Sequence, residues 1–129
     1  MQDTRNLLAL LRAELLFVER GGYRNRPRFP WRPSFVFEDS PTCLNFKRNG
    51  EWHACSECQL MQLVPDDKKD LAFPCRQIPL KPSGESVAYY YECGTETELE
   101  AALKDWLRAK IAELERGEKS QANALQQSA

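Results

Sequence analysis

Apolar residues recur at helical spacing near both ends of the chain and lose that period in between. From residue 3 to residue 20, Leu8, Leu11, Leu15 and Val18 fall on one face, with Arg5, Arg12 and Glu19 on the other. This predicts an amphipathic helix, ended by Gly21-Gly22, which supply the left-handed positions that commonly close one. A second helix is predicted from Thr95, whose hydroxyl can cap it while Glu98 reaches back to complete a capping box. Its stripe is Leu99, Leu103, Leu107, Ile111 and Leu114, with Trp106 beside it and Gly117 at its end. Residues 118–129 read as a disordered polar tail, which leaves 1–117 as a single domain.

In the middle, turn residues crowd in and two hairpins are predicted. Asn49-Gly50 suits a type I′ turn, and pairing about it sets Cys43 opposite Ser56 and Leu44 opposite Cys55. The second hairpin runs from Arg76 to Leu80, turns through 81–85 and returns along Val87 to Glu92. Arg76 is then set opposite Glu92, Ile78 opposite Tyr90 and Cys75 opposite Cys93. The expected fold class is therefore α+β: a small two-hairpin, four-cysteine metal-binding core flanked by an N-terminal and a C-terminal amphipathic helix.

Composition narrows the class of protein without naming a task. A chain of 129 residues with 42% hydrophobic and 29% charged content and a net charge of −1 reads as one globular domain. Leu7 to Val18 is interrupted by Arg12 and Glu14, so no run approaches the roughly 18 apolar residues that a bilayer requires. That run also ends in Glu19-Arg20-Gly21-Gly22 rather than in a small-residue cleavage site, so the expected location is cytoplasmic.

Five cysteines are more than core packing needs, and a reducing compartment disfavours disulfides, so metal ligation or thiol chemistry is indicated. Cys55-Ser56-Glu57-Cys58 is a CxxC element whose two thiolates can reach one ion from a tight turn. The first hairpin returns Cys43 to its neighbourhood. Cys75 follows Cys58 after sixteen residues, within the range seen between the halves of four-cysteine zinc sites, and is taken as the fourth ligand, with Cys93 as a substitute. Zinc is the default cofactor, because four soft ligands close a tetrahedron that helps a small chain to fold. An iron-sulfur cluster on the same thiolates is the alternative. The run Cys55-Ser56-Glu57-Cys58-Gln59-Leu60-Met61-Gln62, with single cysteines at 75 and 93, resembles the cysteine order of high-potential iron-sulfur proteins over about forty residues. That resemblance implies a cluster and electron transfer. A thiol-disulfide role for the CxxC is a second alternative, although no βαβ context is present. His53, the one histidine, reads as a partly buried polar residue and is left out of the site.

Arg24, Arg26, Arg28 and Arg32 alternate with Tyr23, Phe29 and Trp31 in a proline-rich stretch, a composition suited to an acidic protein surface or a single-stranded nucleic acid. Near-neutral total charge disfavours nucleic acid as the main partner. Catalytic motifs are absent from the sequence: it has no P-loop, no dinucleotide-binding turn and no HExxH pair. The expected function is thus a non-catalytic structural-zinc module that acts through protein-protein interaction.

Overall fold

The structure is a computed structural model that describes residues 6–25, 34–46 and 53–128, with the side chains of Asn25 and 119–128 left out of the description. It is helical. In chain order α1 spans Leu7–Glu19, α2 Gly22–Asn25, α3 Val87–Cys93 and α4 Glu96–Ser128, with four short 3-10 turns among the described residues between α2 and α3. Asn6 caps α1, its side-chain oxygen accepting from the Ala9 N–H at 3.0 Å, and Gly21 ends it at φ 75°. Thr95 and Glu98 form the expected capping box at the start of α4, with reciprocal bonds of 2.9 and 3.1 Å.

The two amphipathic helices pack on each other, as their apolar stripes require. Leu11 and Val18 of α1 and Leu103 and Leu107 of α4 are almost wholly buried in a core completed by Phe37, Ile78 and Val87. Arg12 to Glu115 and Arg108 to Glu19 bridge the outer edges of this pair at 3.1 and 3.3 Å. Gly117 does not end α4, which runs on to Ser128; an exposed mid-helix glycine costs only about 1 kcal/mol relative to alanine.

The α+β expectation is overturned: among the described residues there is no sheet, and one isolated bridge, Pro79 with Ser86, is the whole of the β structure. Around that bridge the second turn does form, with Leu80 N–H on the Glu85 carbonyl at 2.8 Å and Gly84, at φ 103°, bonded back to Lys81 at 2.9 Å. The pairing ends with one further bond, from the Val87 N–H to the Ile78 carbonyl at 3.3 Å. Ser86 caps α3 by accepting from the Tyr89 N–H at 3.2 Å, so residues 87–93 coil instead of returning as a strand. Cys93 ends α3, and Arg76 pairs elsewhere than with Glu92. The Asn49-Gly50 turn of the first hairpin lies outside the described residues, and its described flanks are a turn at 43–46 and a 3-10 turn at Cys55–Glu57, not strands.

Candidate metal centre

The segment 34–46, which carries Cys43, has little regular structure and is held by side chains. Its fixed point is Glu14, on the buried face of α1 and 1% exposed. The Ser40 and Thr42 hydroxyls donate to one carboxylate oxygen at 2.7 and 2.6 Å, and the Tyr23 hydroxyl donates to the other. Burying a carboxylate is costly unless donors replace its water, and these three hydroxyls do so. Burial still pushes the Glu14 carboxyl above its ordinary range, opposed by the bonds from Thr42, Tyr23 and Ser40. Two more tyrosine contacts fix the backbone: the Phe37 N–H donates to the Tyr23 oxygen and the Val36 N–H to the Tyr91 oxygen, both at 2.8 Å. Phe37 adopts φ 67°, an uncommon conformation for a bulky residue, and turns its ring into the core, edge-on to Trp106 at 6.2 Å.

Asn45 supplies the closure that the sequence assigned to strand pairing. Its amide nitrogen donates to the His53 carbonyl at 2.9 Å and its oxygen accepts from the His53 N–H at 2.8 Å, so one side chain imitates a peptide partner across 46–52. Cys55 begins a 3-10 turn, Cys55–Glu57, and Cys58 links it to the next, Gln59–Leu63, by bonds of 3.0 and 3.1 Å. Cys75 lies in the turn Pro74–Gln77. The next residue, Arg76, forks onto Glu38 at 2.7 and 2.9 Å and lies over the rings of Phe35 at 4.5 Å and Phe73 at 4.2 Å.

These elements surround a largely apolar cavity of about 300 Å³, and Cys43, Cys55, Cys58 and Cys75 all line it, as do His53 and Glu38. All five cysteines are thiols rather than disulfides. Cys93 is exposed and does not line the cavity. The substitute ligand is therefore set apart from the other four, because the hairpin that would face it toward Cys75 is replaced by α3.

The thiols oppose one another's ionisation. Burial pushes the Cys75 thiol far up, with further contributions from Glu38, Cys55, Cys43 and Cys58; burial, then Cys43 and Glu38, raise Cys55. The thiols are therefore held neutral in this cavity, and a bound cation would have to displace their protons, its own charge then offsetting the repulsion among the thiolates. The donor set suits zinc or an iron-sulfur cluster. Among the described residues, however, no three cysteine, histidine, aspartate or glutamate side chains are grouped as one ion would need them, so the sulfurs would have to draw together on binding. The raised Cys55 thiol also disfavours the thiol-redox alternative, in which the first cysteine of a CxxC has a lowered pKa.

Of the arginines singled out in the sequence, Arg24 is exposed on α2 and paired with Glu100 of α4; Arg26, Arg28, Arg32 and Trp31 lie outside the described residues. Sequence reasoning missed Glu14, Glu38 and Asn45. A signal for Glu14 existed, because it follows Leu11 by three residues and precedes Val18 by four, which sets it on the apolar stripe. Among the described residues no helix is long and apolar enough to cross a membrane. No family model matches this chain, and comparison with curated proteins and with solved structures found no match.

Proposed function

We propose that this chain is a non-catalytic module closed by a metal centre on the thiolates of Cys43, Cys55, Cys58 and Cys75, and that it acts through contact with another protein. One observation carries the reading: cysteines from three separate pieces of irregular chain line a single cavity, while the fifth stands outside it. Zinc is the first choice of metal, since it needs only four soft ligands and lends folding free energy to a domain whose middle is held by few regular elements. Purified protein is expected to carry one zinc per chain by elemental analysis, and Cys55→Ser or Cys58→Ser to lose it. Metal-free protein of full stability that takes up no zinc would sink the proposal.

The second reading, an iron-sulfur cluster used for electron transfer, draws support from the room between the thiols. Ligands of a cluster sit on separate irons, further apart than the four sulfurs around one ion, each about 2.3 Å from zinc. A brown anaerobic preparation with iron and sulfide in place of zinc would decide for it.

A further inference from the structure

His53, the single histidine of the sequence, lies on the cavity wall, and three features prepare it for more than filling space. Its backbone is fixed on both sides by the Asn45 amide. Its ring is 20% exposed, and Nδ1 stands 3.5 Å from a Glu57 carboxylate oxygen, four residues along the chain. Metal-ligating histidines characteristically present the second ring nitrogen to a carboxylate, which sets the tautomer and leaves the other nitrogen for the metal. Here that other nitrogen is Nε2.

The chain also divides the donors unequally. Cys43 lies near Asn45, whose side chain bonds the His53 backbone just ahead of Cys55 and Cys58, whereas Cys75 arrives on a separate turn anchored by Arg76 and Glu38. Five donor residues line the one cavity, a tetrahedral shell would take four of them, and zinc accepts three sulfurs and one imidazole as readily as four sulfurs. We propose that His53 is a fifth donor to the centre, taking the fourth place through Nε2 in exchange with Cys75. This rests on the thiolate centre proposed above.

The test uses the full chain and zinc alone. Because the sequence holds a single histidine, every imidazole nitrogen signal belongs to His53. Adding zinc to the metal-free wild type is expected to shift or broaden the Nε2 signal. Cys75→Ser should still bind one zinc, about tenfold more weakly, with the Nε2 signal fully shifted. Adding His53→Ala to Cys75→Ser should weaken binding by a further hundredfold, and adding Glu57→Gln by about tenfold, the effect expected of an orienting carboxylate. If zinc binds while Nε2 stays unmoved in both the wild type and Cys75→Ser, His53 serves only as the partner of Glu57 and the inference falls, while the thiolate centre stands. A wild type that takes up no zinc overturns both. Should Cys75→Ser not fold, the wild-type imidazole signals still decide.

Discussion

The Arg76 guanidinium grips the Glu38 carboxylate with two bonds, 2.7 and 2.9 Å, and in doing so joins the segment that carries Cys43 to the turn that carries Cys75. The pair is partly sheltered, and the guanidinium plane lies against Phe35 and Phe73, where it is exposed to less competition from water. Lysine keeps the charge but neither the fork nor the flat face. Arg76→Lys is therefore expected to cost about 1–2 kcal/mol in urea unfolding and to weaken metal retention. A variant equal to the wild type in both would show that the pair does not hold the two segments together.

Thiol reactivity should rank the cysteines in metal-free protein. Cys93 is exposed and is expected to be alkylated first, while Cys75, whose thiol is pushed far up by burial and by Glu38, is expected to react last and to speed up as pH rises. Cys93→Ser should leave metal content unchanged. Peptide mapping after brief alkylation at neutral pH checks the order, and early labelling of Cys75 would contradict it.

Glu14 should give the protein a pH-dependent stability. Burial raises its carboxyl in the folded state, so between the unfolded and the folded values the folded chain binds more proton than the unfolded chain. Its contribution is complete below the unfolded value of about 4.5 and is lost as pH rises through the folded value. In Glu14→Gln that loss is removed, because the amide does not titrate and its oxygen can still accept from Ser40 and Thr42. Urea unfolding of both proteins across this range is expected to show the wild type falling relative to the variant. Parallel curves would mean that Glu14 does not titrate in this window. Glu14→Ala, which takes the acceptor from the Thr42 and Tyr23 hydroxyls and leaves Ser40 only the Phe37 carbonyl at 3.3 Å, is expected to cost about 3 kcal/mol or more at low pH, and less as pH rises through the folded value.

Phe37 and Trp106 meet edge to face where the irregular segment docks on α4. Phe37 is 1% exposed, and its truncation to alanine is expected to cost about 3–5 kcal/mol. Trp106 is only partly buried, so Trp106→Ala should cost less, about 2 kcal/mol. Thermal unfolding of the two variants checks the order. A larger loss at Trp106 would place the weight of the contact on the helix rather than on the segment.

The sequence by itself determined the two helices that frame the molecule. Their stripes repeat every three to four residues and their caps lie within four, so each is specified by neighbours along the chain: Leu8, Leu11 and Val18 in one, Thr95 with Glu98 and then Leu99 to Ile111 in the other. It also singled out the cysteines, because residue type and the CxxC spacing are local facts. What lies between the helices was decided by tertiary structure. Tyr89-Tyr90-Tyr91 has the composition of a strand, yet the Ser86 cap and the burial of Val87 and Tyr90 against the core turn it into α3. The segment around Cys43 follows no period, since its Val36 and Phe37 N–H groups go to Tyr91 and Tyr23 and its hydroxyls to Glu14, partners from 14 to 55 residues distant that only the packed chain brings near.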